Sequence, residues 1–163
     1  MSSFTHVDDS GQPGMVDISA KAITPRSATA GVRVVMPREV FEALVAEGWA
    51  TGKGSILQTA RIAGTMAVKR TADLIPFCHP LPIQKIKFII EEEPALPGLR
   101  IEATVATDYR TGVEMEALTG ASVAALTIYD MCKALTPELV VDGLRLLRKT
   151  GGKEDYTAAP DPA

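Results

Sequence analysis

His79 lies inside DLIPFCHPLP, residues 73–82, where Pro76, Pro80 and Pro82 stiffen the backbone on both sides of it. A general acid or base must be held in place and titrate near neutrality, and an imidazole in a constrained loop meets both needs. The same position also suits a histidine that only hydrogen-bonds at the surface. Cys78 beside it is a nucleophile if its thiol is activated, and otherwise a small buried hydrophobe. Asp130 and Lys133 stand at i, i+3, so on a helix they share a face and couple electrostatically. This spacing ordinarily gives a surface ion pair, but the neighbours Ile128, Tyr129, Met131 and Cys132 leave little polar surface around it, so a partly buried pair with shifted pKa values is the other reading.

Glu114 and Glu116 flank Met115 in TGVEMEAL. The pair is not read as a carboxylate dyad; as acids at a helix start the two favour the dipole. Lys53 stands between two glycines in TGKGS, ahead of a helix, where an ammonium and backbone N–H groups together suit a phosphate. Neither this segment nor KTGGKE matches a P-loop, and G-x-G-x-x-G is absent. Arg145, Arg148, Lys149 and Lys153 make the C-terminal segment basic.

The elements that must position these groups follow from the pattern. Residues 28–36, ATAGVRVVM, read as a strand, and 37–48 as a short helix stopped by Gly48. Ser55 and Gln58 form a capping box for a second helix over 56–70. Strands over 83–92 and 99–109 form an antiparallel hairpin around the turn EPALPG. A third helix runs over 117–135, crowded with small residues that allow close approach, and 138–147 is a last strand before the basic loop RKTGGK. The order β, α, α, β, β, α, β predicts an α+β, ferredoxin-like domain: a mostly antiparallel sheet with helices packed on one face.

Composition limits the function classes. The chain has 163 residues, 46% hydrophobic and 23% charged, and a net charge of -3, so it suits one globular domain and offers no global attraction to nucleic acid or a membrane surface. We expect flexible tails at 1–14 and 157–163 around a single catalytic domain at 15–156. The first residues carry no secretory or transit signal, which predicts a cytoplasmic location. Cys78 and Cys132 are expected as free thiols, and no ligand spacing predicts a metal site.

Four strings, MVDISAKAITPR, KGSILQTARIAGTMAVKRTADLIPFCHPLPI, VEMEALTGASVAALTIYDMCKAL and LLRKTGGK, resemble the cyclic pyranopterin monophosphate synthase family of molybdenum-cofactor biosynthesis. The resemblance covers nearly all of 15–155 and departs at Phe77, where Leu is expected before Cys-His-Pro, and at Ser55. It implies a ferredoxin-like lyase that turns the nucleotide-derived 3',8-cyclo-7,8-dihydro-GTP into cyclic pyranopterin monophosphate and pyrophosphate, by proton transfer and without a redox cofactor. It further implies a homohexamer, a trimer of dimers, with the pocket at a subunit interface. Carried over by position, Asp130, Lys53 and Lys133 are catalytic, and Phe77, Cys78, His79, Met115 and Glu116 contact substrate. Glu114 and Arg26 accompany them, and Lys69 and Lys149 are added as phosphate cations on charge alone. A noncatalytic oligomer that binds a phosphorylated nucleotide or pterin is the alternative from a different class.

Overall fold

In the computed structural model, which describes residue 12, residues 14–52 and residues 54–159, the apolar run around Val32 and Val34 forms the central strand β1, Thr24–Val35. Most of the expected N-terminal tail, Lys53, and residues 160–163 lie outside the described residues. Helix α1, Arg38–Ala46, follows and buries Phe41 and Leu44. Two short strands, β2 (Ala50–Thr51) and β3 (Gly54–Ser55), pair with each other and lead into α2, Ile56–Lys69. As the capping-box spacing predicts, the Ser55 hydroxyl accepts from the Gln58 backbone N–H. One helical turn, α3 (Thr71–Leu74), precedes the proline loop. Then come β4 (Lys85–Glu92), β5 (Gly98–Tyr109), α4 (Glu114–Cys132), β6 (Val140–Thr150) and β7 (Tyr156–Thr157).

The main sheet is antiparallel throughout, in the order β4-β5-β1-β6-β7. With α2 and α4 packed together over it, the architecture is the expected α+β one, consistent with a ferredoxin-like arrangement. The β1–β5 register explains which face is covered. Val34 pairs with Leu99, Val32 with Ile101, Ala30 with Ala103 and Ala28 with Val105, and all eight are buried. The intervening pairs, Arg33 with Arg100, Gly31 with Glu102 and Thr29 with Thr104, point the other way by the period-two rule.

Helix α4 buries a stripe at Ala117, Ala121, Ala124 and Ile128, the i, i+4, i+7, i+11 spacing of one helical face. Gly120 faces α2: a Cβ there would stand 2.5 Å from Val68 Cγ2 and 3.3 Å from Phe88 Cζ. Gly120→Ala is therefore expected to destabilise the fold by about 1–3 kcal/mol through overpacking, read as a lower urea midpoint at unchanged slope. An unaltered midpoint would mean that the two helices can separate freely.

Several boundaries differ from expectation. β1 starts four residues earlier than the expected 28, because Thr24 to Ser27 keep pairing with β5 despite Pro25. The last strand runs to Thr150 and not 147, so Arg148, Lys149 and Thr150 of the expected basic loop are sheet residues. Tyr156–Thr157 pair with β6, so the sheet reaches into the start of the expected C-terminal tail. Asp73 and Leu74, expected in the stiff loop, close the turn α3, whose Thr71 hydroxyl is buried against the Ala67 and Val68 carbonyls. The third helix begins at Glu114 instead of 117, which changes the geometry of its two acids.

Candidate active site

The proline loop is pinned at both ends. The Cys78 backbone N–H donates to Ile75 O at 3.1 Å, and the buried Thr107 hydroxyl of β5 donates to Pro82 O at 2.7 Å. With prolines between these anchors, residues 77–81 have little freedom. They face the start of α4, where Val113 is fully buried and the Ala117 N–H donates to Val113 O. Acids in a first helical turn are favoured by the dipole, which is why VEMEAL turns helical there although its alternation resembles a strand.

Between the two segments lies a cavity of about 570 Å³. Phe77, Cys78 and His79 line it from the loop, Glu114, Met115 and Glu116 from α4, and Lys149 from β6. The two glutamates, not expected to act together, thus border one cavity. A smaller hollow of about 100 Å³ shares His79 and Glu116 with it and adds Lys69 and Asp73. Seven expected contact residues therefore meet, with Lys69 next door.

Glu116 is 4% exposed, and its carboxyl is pushed up to about 7. Burial is the main cause; its own backbone N–H opposes the rise and Glu114 adds to it. Near neutral pH it can hold or release a proton at this cavity. Burial, helped by Glu116, also raises the Cys78 thiol, so it stays protonated and is a poor nucleophile at neutral pH. Lys149 Nζ pairs with Glu114 Oε1 at 3.4 Å, which holds a cation at the cavity wall.

Arg26, on β1, does not line the cavity. Its Nε is buried with no hydrogen-bond partner, and its Nη1 lies 3.3 Å from where a Cβ on Gly152 would stand. A guanidinium N–H buried in this way is costly unless an acceptor arrives.

Asp130 and Lys133 do form an ion pair, at 2.7 Å, and of the two readings left open it is the surface one: the side chains are 70% and 60% exposed. The apolar neighbours Ile128 and Cys132 turn inward to the core, which leaves the pair on the outer side of the last turn. Asp130, by hydrogen bond and charge, holds the Lys133 ammonium above its ordinary range. Fifteen residues of helix separate Asp130 from Met115, an axial rise of about 22 Å. No small molecule in the cavity reaches both ends of α4 within one chain. Lys53, the remaining expected catalytic residue, lies outside the described residues. The β2–β3 pair on either side of it in sequence is anchored by buried Trp49, whose carbonyl accepts from Ile56 and whose indole donates to Glu92 at 2.8 Å.

Residues not singled out from spacing are also present. Val16, Ile18 and Lys21 line the cavity from the segment before β1, and Thr111 lines it from the turn before α4. Asp17 is held below the ordinary carboxylate range by the Ser19 backbone N–H, at 2.8 Å, with a further pull from His79. All but Thr111 fall in the string MVDISAKAITPR, so the resemblance marked the segment although no local pattern did. Among the described residues, no helix is long and apolar enough to cross a membrane.

The chain is similar to known proteins over nearly its whole length. The model of the MoaC family matches residues 15–152. A protein of Xanthomonas oryzae pv. oryzae named cyclic pyranopterin monophosphate synthase is 59% identical over 156 residues, 96% of this chain and 94% of its own length. Proteins with the same name from Cereibacter sphaeroides and Nostoc sp. are 56% and 52% identical, over 94% and 98% of this chain and 95% and 94% of theirs.

Proposed function

The chain belongs to the MoaC family, and on that premise we propose that it converts 3',8-cyclo-7,8-dihydro-GTP into cyclic pyranopterin monophosphate with release of pyrophosphate, in molybdenum-cofactor biosynthesis in the cytoplasm. The observation that carries the reading is the cavity itself. Three chain segments far apart in sequence bring His79, Glu116 and Lys149 to one hollow of about 570 Å³, a size that suits a nucleotide-derived ligand.

The chemistry has two parts. The bicyclic purine ring opens and the pterin closes, which needs groups that give and take protons. A ribose-derived hydroxyl then attacks the α-phosphorus; the new P–O bond closes the cyclic phosphate, the bond to pyrophosphate breaks, and the hydroxyl proton passes to a base. Lys53, Asp130 and Lys133 are the catalytic proton-transfer set. Phe77, Cys78, His79, Glu114, Met115 and Glu116 hold the ring system. Lys149 and Arg26 take the phosphate chain, with Lys69 as a further cation. The unpartnered Arg26 Nε supports its place here, because a phosphate oxygen satisfies it.

Since Asp130 and Lys133 stand about 22 Å along α4 from Met115, the active site is completed by a second copy, whose helix end reaches this cavity. A homohexamer built as a trimer of dimers provides such shared sites. Exposed Ile62, Met66 and Leu126 on the outer sides of α2 and α4 supply apolar surface for the contact. The experiment is a product assay with enzymatically prepared substrate. The wild-type chain is expected to form pyrophosphate and the pterin, and Lys53→Ala and Asp130→Asn to lose both by at least about a hundredfold. Wild-type turnover in both variants would remove the catalytic assignment.

A further inference from the structure

The second large cavity lies on the face of the sheet away from the helices, where the fold has put a cluster of arginines. β6 pairs with β1 in an irregular register: Thr29 with Arg148 but Ala30 with Leu146, and Gly31 with Arg145 but Arg33 with Asp142. Each shift inserts one extra residue in β6. Arg145 and Arg148 are three apart and would normally point to opposite faces; the bulge at Leu147 brings them to the same one. The paired residues on β1 and β5 put Arg33 and Arg100 there too. These four guanidinium groups line a cavity of about 330 Å³, and Glu102 is the one acid among the described residues that lines it. Gly31 forms part of its wall with Leu147 packed against it, and Gly31→Ala would bring a Cβ within 2.8 Å of Leu147 Cδ1.

From this arrangement we propose a second anion site on the outer face of the sheet, distinct from the catalytic cavity, that takes a phosphate chain. Neighbouring acids orient the arginines. Arg100 is held by Glu91 and Glu102, both at 2.6 Å, and Arg33 by Asp142 at 3.6 Å. A guanidinium has five N–H donors in a fixed fork, so the two pairs on Arg100 leave it further donors for phosphate oxygens while removing rotational freedom. By the strand register, Lys85 and Lys87 extend the same face, opposite Ala106 and Thr104. Among the described strand residues of this face, six cations stand against four carboxylates, Glu91, Glu102, Asp108 and Asp142, in a chain whose net charge is -3. A di- or triphosphate, with about three to four charges at neutral pH, meets four clustered guanidinium groups better than a single carboxylate does, and bidentate guanidinium–phosphate pairing supplies the geometry. The cavity volume lies at the small end of ligand sites, the size for a phosphate chain rather than a whole dinucleotide. Free pyrophosphate and the tail of a nucleoside triphosphate share this chemistry.

The test is calorimetric titration with sodium pyrophosphate, GTP and inorganic phosphate as separate probes. An Arg26→Ala, Lys149→Ala chain removes two cations proposed above to take the substrate's phosphate chain, so the sheet-face site is read without reference to the reaction. In that background, pyrophosphate or GTP is expected to bind, and adding Arg145→Ala and Arg148→Ala is expected to weaken it by on the order of tenfold or more. The tighter of the two probes names the source. Arg145→Lys with Arg148→Lys, matched to the parent in circular dichroism, is expected to fall in between, because charge remains while the planar fork is lost. Absence of binding in the background chain, or affinity unchanged by the arginine substitutions, overturns the proposal.

Discussion

Mixing two inactive variants is expected to restore activity. Lys133→Ala leaves the His79 side of a site intact, and His79→Ala leaves the Lys133 side intact. If each site joins the cavity of one copy to the end of α4 from another, equimolar re-association gives half mixed pairs, each with one intact site of two. Activity should return to roughly a quarter of wild type from a background at least about a hundredfold lower. Sites complete within one chain predict no recovery at any mixing ratio. The separation along α4 makes this outcome sharp, because the rigid helix keeps Lys133 far from the cavity of its own chain.

The second large effect is on stability and has the opposite sign from most substitutions of buried residues. Glu116 is pushed up from 4.5 to about 7, so the folded state holds its proton more tightly than the unfolded chain does. The stabilisation from that proton is complete below about pH 4.5 and is lost as pH rises through about 7; above that, the fold carries the cost of a buried carboxylate. Glu116→Gln removes the titration while keeping the shape. It is expected to gain up to ~3 kcal/mol over wild type at pH 8, little at pH 4.5, and to flatten Tm against pH in between. A Tm profile parallel to wild type across that range would contradict the raised carboxyl. Because Glu116 also lines the cavity, substrate affinity should fall in the same variant, which separates its stabilising and binding effects.

What could be read from residues alone depended on how local the cause was. The inner face of β1 and β5 follows from alternation of Val, Ile and Ala against polar partners, and the start of α2 from a three-residue capping rule; both are short-range. The start of α4 was misplaced because V-E-M-E carries a period of two, and tertiary burial of Val113 with the dipole preference of two acids outweighed it. The far end of β6 was hidden because two bulges break its alternation, and nothing in DGLRLLRKT announces where the extra residues fall. At the active site, the stiffness of the His79 loop was legible from its prolines. Its meeting with residues 111–116 was not, since it rests on long-range packing through Thr107 and β5. The resemblance supplied that association, and it marked the segment of Lys21 although spacing did not. The exposure of Asp130 and Lys133 shows the limit of judging burial from neighbours in sequence, because on a helix adjacent residues face different ways.

The most direct measurement of the central claim is a single-turnover reaction of the wild-type chain with 3',8-cyclo-7,8-dihydro-GTP, in which pyrophosphate and the oxidised fluorescent pterin are quantified together. Equal amounts of both are expected, each equal to the substrate consumed. Tight substrate binding with neither product, or pyrophosphate without pterin, would contradict it.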